Sequence, residues 1–377
     1  MRMIRSIRGA LRIGLAVMLA AGQAWAQPGF SPVTGPCRLE FPADHGAHPD
    51  YRTEWWYYTG NLTAADGRRF GFQLTFFRSA LRPADQRGQW PDPASAWRSD
   101  QIYLAHAAIS DLAGGRHMQA ERTARPVLSM AGTEQTGAAT TVHVQPWQAA
   151  ITPQGHRLRA DADAFTIDLK LKAAKGPVLH GDNGYSRKGQ DPERASCYYS
   201  FTRLQAAGTL TVDGTRHPVQ GLAWMDHEFS SAPLQPGIVG WDWFSLQLSD
   251  RSEVMVFLLR QADGSLNPAT SGTFVTASGG TRHLQQKEIA ITTLALWTSP
   301  HSAARYPVKW RLRIPALQLD LILAANLKDQ EMHTPRSTGV VYWEGSVGVT
   351  GTRGDAPIEG VAYVELTGYA SPFDAPL

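Results

Sequence analysis

Three pairs of segments recur along the chain in the same order, and this repetition restricts the fold more than any other feature. The aligned pairs are residues 55–62 with 241–248, residues 166–171 with 318–323, and residues 208–226 with 345–365. These segments alternate apolar and polar residues between Gly-, Pro-, Asp- and Asn-containing turns, which is typical of antiparallel strands. The repeat predicts an all-β chain with two tandem β-barrels that arose by internal duplication.

The start of the chain predicts export from the cytoplasm. Four arginines precede an apolar run over residues 13–21, and Ala24-Trp25-Ala26 fits a signal-peptidase site. We therefore assign residues 1–26 to a signal peptide and 27–47 to an N-terminal extension. The first barrel is assigned to residues 48–230 and the second to residues 236–370, with a Ser- and Pro-rich join between them.

The charge and hydropathy of the mature chain limit its possible partners and its location. Removal of residues 1–26 leaves 351 residues and changes the formal net charge from +3 to −1, so the composition predicts no nucleic-acid partner. No second long apolar segment follows, so we expect no transmembrane segment in the mature chain. The expected location is the periplasm, after secretion across the inner membrane.

Only two cysteines are present, Cys37 and Cys197. In an oxidising compartment they could form a disulfide, and the alternative is a pair of buried thiols. The spacing does not decide between these two states.

Within residues 48–62, Glu54 lies beside an unusual density of large aromatic side chains. Side chains alternate along a strand, so Glu54, Trp56 and Tyr58 share one face of it. The matching position of Trp56 in the second repeat is Asp242, so this face diverged after duplication, and we expect function there. The alternative is that the aromatic residues form a barrel core and that the acids pair with arginines.

A second acidic group lies at residues 224–228. Trp224, Asp226 and Glu228 share a face there, whereas His227 points away. If Glu54 and Asp226 both face inward, they would lie in one aromatic pocket. A carboxyl group that is buried there would have a raised pKa and could act as a general acid, while aromatic faces stabilise a carbocation.

The other candidate motifs are weaker. Several residues have metal-ligand chemistry but lack the spacing of known metal motifs, so neither a metal nor another cofactor is predicted; they are His45, His48, Asp50, Asp226, His227 and Glu228. His106 lies in an apolar strand, where a lone histidine is more often a core residue than a ligand. Tyr185 lies in a loop with two cations, which fits either an anion site or a solvated turn.

The chain resembles the CrtC/AttH family of secreted lipocalin-like proteins. The resemblance rests on EWWYYTG, GYSRKG, AWMDHEF, GWDWFSLQL and YWEGSV and extends over residues 41–369. It implies two lipocalin-like barrels, in agreement with the repeat. The family includes carotenoid 1,2-hydratases, a fungal phytoalexin hydratase, and AttH-type proteins encoded beside ABC-transporter permeases.

The resemblance also implies roles for particular residues. The Tyr-x-Asp-His motif of the carotenoid hydratases falls on residues 224–227, so Asp226 takes the role of the acid and Trp224 replaces the tyrosine. Trp241 would line the same cavity. The replacement at Trp224 places the chain closer to the AttH branch.

Two functions follow as expectations. The first is a hydratase, or a related lyase or hydrolase, in which Asp226, His227 and Glu54 catalyse a reaction on an isoprenoid- or lipid-like ligand. The residues expected to bind that ligand are Trp56, Tyr58, His106, Tyr185, Trp224, Glu228, Trp241 and Asp242. The alternative is a non-catalytic periplasmic carrier of hydrophobic cargo that works with an ABC-transporter permease.

Overall fold

Consecutive strands of the chain pair antiparallel into two separate sheets. The computed structural model describes residues 29–83, 86 and 95–373, so the predicted signal peptide lies outside the described residues. The first sheet contains β1 (Thr53–Ala64), β2 (Arg69–Ala80), β3 (Gln101–Asp111), β4 (Arg116–Ala124), β5 (Ala131–Thr136), β6 (Ala139–Val144), β7 (Trp147–Thr152), β8 (Gly155–Asp161), β9 (Phe165–Ala173), β10 (Val178–Leu179), β11 (Tyr185–Arg187), β12 (Ala195–Val212) and β13 (Thr215–Ser230).

The second sheet has the same plan with fewer strands. It contains β14 (Ile238–Leu248), β15 (Glu253–Gln261), β16 (Ser271–Val275), β17 (Thr281–Gln285), β18 (Ala290–Thr298), β19 (Arg305–Ile314), β20 (Leu319–Ala325), β21 (Glu331–His333), β22 (Val341–Arg353) and β23 (Ala356–Leu366). The described helices are single 3₁₀ turns at Ala43–His45, Gln286–Glu288 and Pro315–Leu317.

The strand order confirms the duplicated all-β architecture. The first sheet runs β4-β3-β2-β1-β13-β12-β9-β8-β7-β6-β5, and the second runs β17-β16-β15-β14-β23-β22-β20-β19-β18. In each sheet the opening strand pairs with the closing strand. The pairing register is also repeated, since Tyr57 lies opposite Asp226 in the first sheet and Trp243 lies opposite Glu365 in the second. The result is two lipocalin-like barrels in tandem.

Each sheet curves around its own apolar core. On β9 the buried residues Phe165, Ile167, Leu169 and Leu171 alternate with more exposed polar ones, so this strand has one face inside the barrel and one in solvent. The second barrel has an equivalent core around Phe244, in contact with Trp310.

Strands β1, β2, β14 and β15 are instead buried on both faces. One face lies in the barrel core and the other packs against the neighbouring barrel. At Gly71 the barrels approach so closely that a Cβ atom would lie 2.8 Å from the Cβ of Ser346. Asn61 donates a hydrogen bond to the carbonyl of Ala362 at 3.1 Å across the same interface. We call this contact layer the inter-barrel face.

Cys37 and Cys197 form a disulfide across 160 residues of sequence. The bond joins the segment before β1 to β12, and both residues pack in a small apolar cluster with Phe229. The structure thus selects the first of the two alternatives that the sequence left open. In the part of the chain that the structure describes, no helix is long and apolar enough to cross a membrane.

Candidate active site between the two barrels

The register of β1 against β13 separates the predicted acids onto opposite faces. Asp226 lies opposite Tyr57, and Glu54 lies opposite Phe229. Opposed residues of an antiparallel pair share a face, and Glu54 and Tyr57 are an odd number of positions apart, so Asp226 and Glu54 point to different sides of the sheet. The expectation that Glu54 and Asp226 face one pocket is therefore wrong.

The face with Asp226 forms one wall of a cavity of about 540 Å³ between the barrels. Strands β1, β2, β3, β12 and β13 supply the first wall, and β14, β15, β22 and β23 supply the second. Residues 232–236 between the barrels border the cavity. The aromatic residues that line it are Trp55, Tyr57, Phe77, Tyr198, Trp241, Trp243, Phe257, Tyr342 and Phe373. The acidic residues that line it are Asp226, Glu228, Glu344 and Glu365.

Asp226 is held on its wall by three hydrogen-bond donors. Trp224 Nε1 donates to Oδ1 at 2.6 Å, Tyr198 OH donates to Oδ2 at 2.8 Å, and Ser200 Oγ also donates to Oδ1. Burial raises the pKa of Asp226 to about 7, although these three bonds oppose the shift. At neutral pH the protonated and ionised forms are therefore both populated, as a general acid requires.

Trp224 has a supporting position and not a lining one. Its buried ring packs against Trp243, and its indole N–H points at the Asp226 carboxyl group. Tryptophan at this position thus supplies a hydrogen-bond donor to the acid.

Glu228 is neutralised by a lysine that enters the cavity. Lys188 Nζ lies 2.7 Å from Glu228 Oε1, and the same ammonium lies 4.4 Å from the ring centroid of Phe257. Tyr185, from the same predicted loop, points elsewhere, and its hydroxyl donates to the carbonyl of Pro192. The sequence analysis predicted Tyr185 of this segment as a ligand-binding residue, whereas the structure places Lys188 in the cavity.

The second barrel contributes two acids that were not among the predicted site residues. Glu365 accepts a hydrogen bond from Trp241 Nε1 at 3.1 Å. Burial raises the pKa of Glu365 to about 7, against the effect of the Trp241 hydrogen bond and with a further contribution from Asp226 and Glu228. Glu344 lies directly across the strand pair from Glu365, and burial raises its pKa well above the usual range. The repeat alignment already set Glu365 against Asp226 and could have indicated it.

The other predicted ligand residues fall in three places. His106 lines the cavity, where Nδ1 contacts Tyr342 OH at 2.9 Å and Nε2 contacts Ser337 Oγ at 2.8 Å. Burial lowers the pKa of His106 to about 3, so the ring is neutral. Asp242 lies outside the cavity and pairs with Arg260 at 2.8 Å. Trp56 and Tyr58 belong to the core of the first barrel.

Glu54 and His227 belong to a polar cluster at one end of that core. Glu54 Oε1 contacts His227 Nε2 at 2.8 Å and His48 Nδ1 at 2.7 Å, while Arg78 Nε donates to Oε2 at 2.8 Å. His48 Nε2 in turn contacts Asp44 Oδ1 at 3.0 Å. We refer to Asp44, His48, Glu54, Arg78 and His227 as the Glu54 cluster.

The geometry of the Glu54 cluster suits a closed hydrogen-bond network. The facing atoms of His48, Glu54 and His227 lie within 4.8 Å of one another, a spacing that could suit a metal ion. However, each of these atoms already has a partner within the cluster, and the Arg78 guanidinium occupies the second oxygen of Glu54. The cluster therefore ties the N-terminal extension to β1, β2 and β13.

His48 makes this tie dependent on pH. Burial alone would lower the pKa of His48, but hydrogen bonds to Asp44 and Glu54 raise it to about 9. Because the pKa of His48 is higher in the folded protein than in the unfolded chain, protonation of His48 stabilises the folded state. This stabilisation is complete below the unfolded-state pKa of about 6.5 and is lost as the pH rises through the folded-state pKa of about 9. We expect the wild-type protein to lose up to about 3 kcal/mol of stability across this window relative to His48→Gln. Urea denaturation at several pH values measures the difference, and parallel profiles for the two proteins would contradict it.

The fold and this cavity define a class: two-barrel, lipocalin-like proteins with acids buried between the barrels. Residues 32–369 match the AttH-like family profile. A crystal structure of an AttH-type protein from Nitrosomonas europaea is 37% identical, with a TM-score of 0.79, over 90% of this chain and 100% of that one. The chain belongs to the AttH-like family.

Two more distant structures share the fold. Kievitone hydratase from Nectria haematococca is 16% identical, with a TM-score of 0.68, over 91% of this chain and 98% of that one. CghA with Sch210972 is 15% identical, with a TM-score of 0.53, over 90% of this chain and 96% of that one. No curated protein sequence matches the chain significantly.

Proposed function

We propose that this protein is a hydratase that adds water to a carbon–carbon double bond of an apolar, isoprenoid-like ligand held between the barrels. The observation that carries the proposal is Asp226, a carboxyl group 4% exposed in an aromatic cavity, with a pKa of about 7. The fold shared with kievitone hydratase also supports it.

The reaction can be written with the residues of the cavity. The Asp226 carboxyl group transfers its proton to one alkene carbon, and the π electron pair forms the new C–H bond. The other carbon becomes a cation, which the faces of Tyr57 and Trp243 stabilise. A water oxygen adds to this carbon, and its surplus proton returns to the Asp226 carboxylate.

Labelled water provides the test. Purified protein is incubated with a panel of prenylated compounds in isotopically labelled water, and the products are analysed by mass spectrometry. The expected product carries one labelled hydroxyl group at the more substituted carbon, since the more stable cation forms there. If no member of the panel gains water while several bind in the cavity, the hydratase proposal fails.

A carrier function is the second candidate. The cavity lies between two barrels and is lined mainly by apolar and aromatic side chains, which would hold a hydrophobic ligand without any reaction. Native mass spectrometry of the purified protein would then show a bound lipid that survives unchanged. An ABC-transporter permease is the proposed partner for this function, and a pull-down from membranes tests it.

We also propose that the mature protein acts in the periplasm. The Cys37–Cys197 disulfide supports an oxidising compartment. Fractionation of cells that express the full chain is expected to recover a protein shortened by residues 1–26 in the periplasm. Recovery of the unprocessed chain in the cytoplasm would contradict this location.

A further inference from the structure

The second wall of the cavity contains a buried carboxyl group, Glu344, whose hydrogen bonding by the described residues is incomplete. Glu344 is 1% exposed, and neither of its oxygens accepts a hydrogen bond of normal geometry from the described residues. The hydroxyl groups of Tyr57 and Tyr342 face it, and among the described residues the Tyr57 hydroxyl makes no hydrogen bond of normal geometry. Two poorly aligned hydroxyl groups leave this buried carboxyl group incompletely satisfied, so a ligand that brings a well-placed donor would complete its hydrogen bonding.

The charges around Glu344 favour a positively charged donor. Glu365 lies directly across the strand pair and is a second acid on the same wall. No lysine or arginine is among the described residues that line the cavity from the second barrel. On the opposite wall the cavity is lined by two cations, Lys188, which pairs with Glu228, and Arg52.

Aromatic rings complete the surroundings. Trp241 and Trp243 line the same wall, and Tyr57 faces it from the first barrel. Their π faces attract cations, and this attraction grows when water is excluded. Carboxylates surrounded by aromatic rings are a favourable environment for an ammonium group on an apolar body.

We propose that the Glu344–Glu365 wall is a binding subsite for positive charge, and that the cavity takes apolar amines in their protonated form. The ammonium N–H donates to Glu344, the carboxyl proton that it replaces passes to solvent, and the apolar chain fills the remaining volume. The inference rests on the proposed function only in assuming that the cavity is the ligand site.

The test compares two probes of equal chain length, N,N-dimethyldecylamine and 1-decanol, at neutral pH. Binding is followed by isothermal titration and by the fluorescence of the tryptophans that line the cavity. The wild-type protein is expected to bind the amine about tenfold more tightly than the alcohol, as for a hydrogen bond to a charged group. Equal or tighter binding of the alcohol would overturn the inference without any variant.

Variants of the two acids show which residue causes the preference for the amine over the alcohol. Glu344→Gln keeps the side-chain shape and is expected to bring the amine-to-alcohol ratio close to one, and Glu365→Gln to reduce it in part. Glu134→Gln removes an exposed acid on β5 and is expected to leave the ratio unchanged. If Glu344→Gln still binds the amine about tenfold more tightly than the alcohol, the ammonium group binds at another position and not at Glu344. If the alcohol binds without an amine preference, only this inference fails; if neither probe binds, the ligand cavity itself is refuted.

Discussion

An Asp226→Asn variant is expected to turn over ligand about a hundredfold to ten-thousandfold more slowly than the wild-type protein, because it lacks the proton that general acid catalysis transfers. Asparagine keeps the size of the side chain, and its amide oxygen can still accept the hydrogen bonds that Trp224 and Ser200 make to Oδ1. Ligand affinity should therefore remain nearly unchanged. Kinetic measurement of kcat and KM for any hydrated ligand separates the two effects.

The pH profile gives an independent readout of the same acid. The active form is protonated, and burial raises the pKa of Asp226 to about 7, so the rate should fall by about tenfold per pH unit above neutrality. Asp163→Asn, at an exposed position, serves as the matched control and should retain the wild-type profile. A rate that is independent of pH between 6 and 9, or full activity in Asp226→Asn, would exclude Asp226 as the acid.

The second large effect concerns stability. Arg78→Met is expected to lower the free energy of unfolding by about 3–5 kcal/mol, which is typical when one partner of a buried ion pair is removed. Arg78 and Glu54 are both fully buried, with 2.8 Å between Nε and Oε2. Arg78 also donates to the carbonyls of His48 and Tyr51, so methionine leaves several acceptors unpaired. Chemical denaturation measures the loss.

Two control variants test whether burial of the ion pair causes the loss of stability in Arg78→Met. Arg311 pairs with Asp320 on the protein surface, and Arg311→Met should cost at most about 1 kcal/mol. The double variant Glu54→Gln/Arg78→Met removes both buried charges and should recover part of the loss. Equal losses for Arg78→Met and Arg311→Met would contradict a stabilising role for the Glu54 cluster.

The sequence predicted the architecture well because the repeat carries both strand order and register. The alignment of Tyr57 with Trp243 and of Asp226 with Glu365 corresponds to equivalent strand pairings in the two sheets. The disulfide could not be predicted, because the distance between Cys37 and Cys197 depends on how the N-terminal extension packs.

The candidate site was only partly predictable. Alternation shows which side chains share a face, but β1 is buried on both faces, so the pattern could not show which face meets the second barrel. Glu54 and Trp56 were therefore expected beside Asp226 but lie inside the first barrel. Glu344 was missed because a single acid in YWEGSV has no local signature, and its importance comes from its incomplete hydrogen bonding by the described residues around it in three dimensions.

The position of the cavity on the inter-barrel face has a thermodynamic consequence. A ligand there contacts both barrels at once and binds only when they are docked. Its binding free energy therefore adds to the cohesion between the two halves of the duplication. A saturated protein should melt as one cooperative unit, even if its two halves can separate when the cavity is empty.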